Sequence, residues 1–224
     1  MLARELDFKF IEEENIDEVV ELMEKINESI NDSSIFSKDE KEDLLGLLER
    51  GGAIVGVYHN NKLVAFRSLN VPKDEENLAY DVKHFDIDPD TVIINDSVGV
   101  LKEYRGMNLQ NVTRDKVLQK YENTKYTNKM STISPTNPHS YKNTLESGYT
   151  IVELKKKYPD EKSPEGYDRF ILLKSEDIKI EFTGKEEKVS YKDTEKIKDL
   201  LVDKHIGVSV DEDGIILFRQ VKII

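Results

Sequence analysis

Val98-Gly99-Val100-Leu101-Lys102-Glu103-Tyr104-Arg105-Gly106-Met107-Asn108-Leu109-Gln110 runs from an apolar strand, through an Arg-Gly turn, into a helix that continues to about Tyr121. A strand that feeds a helix through a tight turn leaves several backbone N–H groups unpaired at the helix start. Together with the helix dipole, these groups make a site for phosphate. Gly106 lets the backbone approach a ligand closely, and Arg105 can add a fixed positive charge.

The 224 residues around this stretch suffice for one ordinary domain with a small addition, or for two small domains. A hydrophobic share of 38% beside a charged share of 35% fits a soluble chain with a heavily solvated surface. No apolar run approaches the roughly 20 residues that span a bilayer. The acidic start lacks the basic and apolar regions of a secretory signal, so no membrane partner is expected. Zero Cys excludes a disulfide framework, a thiol nucleophile and Cys-ligated zinc, and makes the cytoplasm the expected compartment. A formal net charge of −12 argues against non-specific nucleic-acid binding.

Charge is unevenly spread. Between Val98 and Met130, Lys102, Arg105, Arg114, Lys116, Lys120, Lys125 and Lys129 outnumber Glu103, Asp115 and Glu122. Between Pro72 and Ser97, eight carboxylates face only Lys73 and Lys83. A basic island suits an anionic ligand and an acidic stretch beside it suits a cationic one; both also read as solvated faces of a Lys- and Glu-rich chain.

In chain order, Leu6 to Ile11 alternates as a strand. Asn15-Ile16-Asp17-Glu18 reads as a capping box before an apolar stripe at Ile16, Val19, Val20, Met23, Ile26 and Ile30. Ser37-Lys38-Asp39-Glu40 is a second box, and Gly51-Gly52 ends that helix. Ala53 to Tyr58 and Leu63 to Leu69 form a hairpin about Asn60-Asn61. Pro72 to Asp90 is long for a simple connection, Thr91 to Val100 is the strand entering the turn, and Met130 to Ser134 is a short strand. Asn137-Pro138 caps a helix closed by Gly148, and Tyr149 to Leu154 and Tyr167 to Leu173 follow as strands. This order predicts an α/β (α+β) chain with a mixed sheet, partly antiparallel and parallel about the central helix.

The order of elements, the Val100 to Gln110 loop, and the later Ser134-Pro135-Thr136-Asn137 through Gly148-Tyr149 resemble the GNAT superfamily of acyl-CoA-dependent N-acyltransferases over roughly residues 6–174. The resemblance implies a mostly antiparallel GNAT-type sheet flanked by helices, with acetyl-CoA as cosubstrate. Its pantetheine would pair with the strand edge at Val98, Gly99 and Val100. Its diphosphate would rest on the amides of Gly106, Met107, Asn108, Leu109 and Gln110 beside Arg105, with Asn137 and Ser140 lining its other side. The family usually has Gly and then Gly or Ala where this chain has Asn108 and Gln110; Asn tolerates unusual backbone angles.

Transfer to an amine sets physical demands. An alkylamine with a pKa of about 10.4 is mostly protonated at neutral pH, and freeing its lone pair costs roughly 4–5 kcal/mol. Asp96 is the first candidate to take that proton, because it keeps parity with Val98 and Val100; Asp81 and Asp86 are weaker ones. Family members often carry a proton-donating Tyr four residues before the Gly-aromatic pair, a position that is Thr144 here. Tyr141 lies one turn earlier, on roughly the same face, and is the candidate acid. Each of these residues also has a structural reading, Asp96 as a turn residue and Tyr141 as a helix-packing aromatic.

The four His residues show no metal-ligand spacing, and no metal is expected. Beyond Lys174 the resemblance ends. Ile178 to Phe182, a helix from Thr194 to Val202, and a hairpin about Asp211-Glu212-Asp213-Gly214 read as a small C-terminal α+β appendage, so the expected division is 1–174 and 175–224. That appendage would dock on the catalytic unit, or offer a strand edge to a second copy in a homodimer. The leading functional expectation is acetyl transfer to a small, cationic amine. A protein acetyltransferase acting on lysine or N-terminal amines, and an acyl-CoA-binding module without catalysis, are the alternatives.

Overall fold

Strand β1 (Asp7–Phe10) opens the first of two units of the computed structural model, made of residues 1–72 with 93–125; residues 5–29 and 39–224 are described. Helix α1 (Ile16–Glu28) buries Ile16, Val19, Leu22, Met23 and Ile26, the expected 3.6-residue stripe. Ile30, Ser37 and Lys38 lie outside the described residues. Asn15 makes no backbone cap; its Nδ2 donates instead to Glu18 Oε1 at 3.1 Å. Helix α2 (Lys41–Glu49) starts later than the Ser37 box implies, and the Glu40 N–H donates to Asp43 Oδ2 at 3.1 Å.

Strands β2 (Ala53–His59) and β3 (Lys62–Asn70) meet at Asn60 and Asn61, whose φ angles of 51° and 59° are those of a type I′ turn. Strand β4 (Val92–Val100) pairs with β3, giving the order β1-β2-β3-β4 with antiparallel pairing throughout. Helix α3 (Leu109–Gln119) follows the turn. Because side chains alternate across a strand, Ile54 and Phe66 pack with α1 and α2, whereas Val57 and Ala65 pack with Tyr104 and Leu109 on the opposite face. Each fully buried large side chain of this kind contributes roughly 1.5–3 kcal/mol.

The second unit comprises residues 73–92 and 126–224. Its strands are β5 (Asn128–Ile133), β6 (Thr150–Lys157), β7 (Tyr167–Ser175), β8 (Ile180–Ser190), β9 (His205–Val210) and β10 (Ile215–Ile223), in the order β5-β7-β6-β9-β10-β8. Helices α4 (Pro138–Glu146) and α5 (Thr194–Val202) complete it. The segment after Lys174 shares one core with what precedes it: Tyr141, Leu145, Ile151 and Phe170 pack with Ile197, Leu201, Ile216 and Phe218. The acidic stretch folds as four short 3-10 turns, Asp74–Glu76, Leu78–Asp81, Lys83–Phe85 and Pro89–Thr91, anchored by buried Leu78, Ala79 and Phe85.

Candidate functional site

Strand β4 carries a bulge where the proton acceptor was expected. Arg67 pairs with Val98 and Leu69 with Asn95, so Asp96 and Ser97 together stand opposite Ser68. The alternation assumed between Asp96 and Val98 is therefore broken, and the exposure of Asp96 belongs to the bulge rather than to strand parity. Ser97 is fixed on both sides: its N–H donates to Ser68 Oγ and its hydroxyl to Asp39 Oδ2, each at 2.9 Å. Burial holds the Asp39 carboxyl above the usual carboxylate range. The Ser97 hydrogen bond opposes this shift, and the Asp43 charge adds to it.

Past the bulge, Gly99 permits a close approach, since a Cβ there would stand 2.5 Å from the Phe66 ring and 2.6 Å from Ile26 Cδ1. Val98 and Val100 beside it are half-buried. The Leu101 N–H reaches Val64 O at 3.0 Å, and Tyr104, buried, places its hydroxyl 2.7 Å from His59 Nδ1. These anchors hold the strand side of the turn while Arg105, Gly106, Met107 and Asn108 stay exposed. Arg105 Nε folds back onto Val100 O at 3.3 Å.

Gly106 (φ 78°) and Asn108 (φ 57°) are both left-handed, and Asn108 Oδ1 accepts from Asn111 Nδ2 at 2.6 Å. The Gly expected by family pattern at position 108 is thus replaced by the residue type that best tolerates the same angle. Among the described residues, the N–H groups of Gly106, Met107, Asn108, Leu109 and Gln110 make no hydrogen bond. Alternating backbone hands before a helix start are the arrangement from which successive amides can serve an anion.

The basic island is only partly available to an anion. Lys116 lies over the Phe8 ring at 4.9 Å, Lys120 over Phe10 at 5.7 Å, and buried Arg114 donates to Asn111 Oδ1 at 2.9 Å. Three of its cations therefore serve packing, and Lys102 and Arg105 remain on the exposed turn.

The second unit buries the expected proton donor. Tyr141 is 0% exposed, edge-on to Phe170 at 5.4 Å, and its hydroxyl has no hydrogen-bond partner among the described residues. Burial, then the nearby Tyr191 and Asp211, pushes it up to about 12. A phenol sealed in this way is a core residue. Thr144, at the family's Tyr position, is also buried and returns its hydroxyl to Ser140 O at 2.9 Å. Asn137 caps α4 by accepting from the Ser140 N–H at 3.2 Å. Asp81 is held by Lys157 at 2.7 Å and Lys155 at 3.6 Å, which accounts for its carboxylate structurally; Asp86 is an exposed left-handed turn residue. No group of three or more His, Cys, Asp or Glu among the described residues could hold a metal, and no helix there is long and apolar enough to cross a membrane.

No protein-family model and no curated protein matches the sequence. Solved structures do. A protein from Staphylococcus epidermidis described as an acetyltransferase superposes with a TM-score of 0.59 at 14% identity, covering 77% of this chain and 99% of its own. The ribosomal-protein-S18-alanine N-acetyltransferase of Escherichia coli gives 0.56 at 10% identity, covering 76% and 94%. The fold is that of the GNAT acetyltransferases. A further neighbour, a Salmonella typhimurium protein described as an acetyltransferase, was solved with its cofactor acetyl-CoA; it gives 0.56 at 12% identity, covering 77% and 94%.

Two residues of this GNAT-fold chain escaped sequence reasoning. Asp39 sits inside the Ser37-Lys38-Asp39-Glu40 capping-box pattern, which gives no sign of its contact with Ser97. Arg67 stands in the apolar run Val64-Ala65-Phe66-Arg67-Ser68-Leu69, and that setting was the available signal that it is buried.

Proposed function

We propose that the protein is an acetyl-CoA-dependent N-acetyltransferase that modifies a primary amine of a small, cationic molecule. The observation that carries this reading is the run of amides from Gly106 to Gln110, which make no hydrogen bond among the described residues and follow an exposed turn, on a fold of the GNAT type. When bound, acetyl-CoA supplies an acetyl thioester that a free amine can attack. The chain's own part is to hold the diphosphate on these amides and to take the proton from the incoming ammonium at Asp96, on the bulge of β4. The acidic balance from Pro72 to Ser97 favours a cationic acceptor. Tyr141 has no part in this scheme, and the departing thiolate takes its proton from water.

The test is release of free CoA thiol from acetyl-CoA across a panel of diamines, amino sugars and lysine-containing peptides. Turnover with a small di- or polyamine is expected. Turnover with peptides alone would make it a protein acetyltransferase, and tight coenzyme binding without turnover on any amine would leave a binding module.

A further inference from the structure

Arg67 is among the largest fully buried side chains of the protein, at 2% exposure, in the middle of β3. A buried guanidinium is costly unless its fork is satisfied with good geometry. Here Nε donates to Thr113 Oγ1 at 3.3 Å, one terminal nitrogen to Gln110 O at 3.1 Å, and the other to Asn95 Oδ1. Thr113 Oγ1 in turn donates to Leu109 O at 2.7 Å. The carbonyls tied down in this way belong to Leu109 and Gln110, two of the residues whose N–H groups make no hydrogen bond among the described residues. The third arm ends on the residue that precedes the bulge, next to Asp96.

We propose that Arg67 is a positioning residue that locks the first turn of α3 to the bulge of β4. The amides that receive the coenzyme and the strand that carries Asp96 then keep one fixed relation. This rests on the reading that the turn binds acetyl-CoA. The buried positive charge beneath a helix start also adds to the field that favours an anion there. A lysine would keep the charge and lose the planar fork, so it cannot serve all three partners at once.

Three variants separate the arms: Arg67→Lys, Thr113→Val and Asn95→Ala. Calorimetric titration with CoA, and the split between kcat and KM in the thiol-release assay, are compared with wild type at a temperature where circular dichroism shows each variant folded. Arg67→Lys is expected to weaken CoA binding about tenfold or more, and Thr113→Val severalfold. Asn95→Ala is expected to lower kcat about tenfold with little change in CoA affinity. Arg67→Lys binding CoA within about twofold of wild type would overturn the proposal. Should that variant fail to fold, unchanged affinity in Thr113→Val together with unchanged kcat in Asn95→Ala would do the same. Absence of CoA binding by wild type would remove the functional reading and this role with it, whereas wild-type binding with indifferent variants would remove only the role of Arg67.

Discussion

The Ser97 hydroxyl donates to Asp39 Oδ2 at 2.9 Å, joining the bulge of β4 to the residue just before the N-cap of α2. Burial raises the Asp39 carboxyl above its ordinary value and Asp43 pushes it the same way, against the Ser97 bond. A carboxyl that holds its proton more tightly in the folded state costs stability as the pH rises from its unfolded value through its folded one. Asp39→Asn keeps an oxygen for Ser97 and carries no charge. The gain in unfolding free energy of the variant over wild type is therefore expected to be near zero at low pH and to grow to a plateau toward neutrality. Urea unfolding from about pH 3 to about pH 8 reads it; a pH-independent difference would remove the burial penalty from the account.

Tyr141 offers a second pH-dependent prediction. Its hydroxyl is buried without a partner among the described residues, and burial pushes it up to about 12 from an ordinary 10.0. Being raised, it costs stability as the pH climbs from the unfolded value through the folded one, a cost that Tyr141→Phe lacks. The variant is expected to be about 1 kcal/mol more stable at neutral pH and to resist alkaline unfolding better. Its turnover should match wild type, and a large loss of kcat without loss of fold would return the residue to catalysis.

What the residues disclosed in advance follows from how local each signal is. The Asn60-Asn61 turn and the Asn137-Pro138 cap were legible because their side-chain chemistry acts within four residues. Strand β8 was read only as far as Phe182, because Thr183 to Lys188 is polar and exposed and is held by its backbone ladder to β10. The bulge at Asp96-Ser97 was invisible because it exists only relative to Ser68 on the neighbouring strand. Tyr141 occupies the expected helix, yet it packs in a core built with residues beyond position 174, which no window around α4 contains.

That shared core makes the C-terminal strands part of the second unit's stability. Phe218 is fully buried on β10 among residues of α4, α5 and β7. Phe218→Ala is expected to cost about 3–5 kcal/mol, seen as a lower urea midpoint. A cost under about 1 kcal/mol would mean that the segment after Lys174 folds independently of the rest.

Asp96 is exposed on the bulge, and its proposed work is to accept a proton. Asp96→Asn should lower kcat about a hundredfold while leaving CoA binding intact. Unchanged turnover would pass the role to another carboxylate, with Asp39 the next to test.

The central claim is that the amides from Gly106 to Gln110 receive the coenzyme's diphosphate. Backbone amide NMR during a titration with acetyl-CoA tests it most directly. The largest shifts are expected on Gly106, Met107, Asn108, Leu109 and Gln110, with saturation. Saturable shifts centred elsewhere, or a spectrum indifferent to the coenzyme, would contradict it.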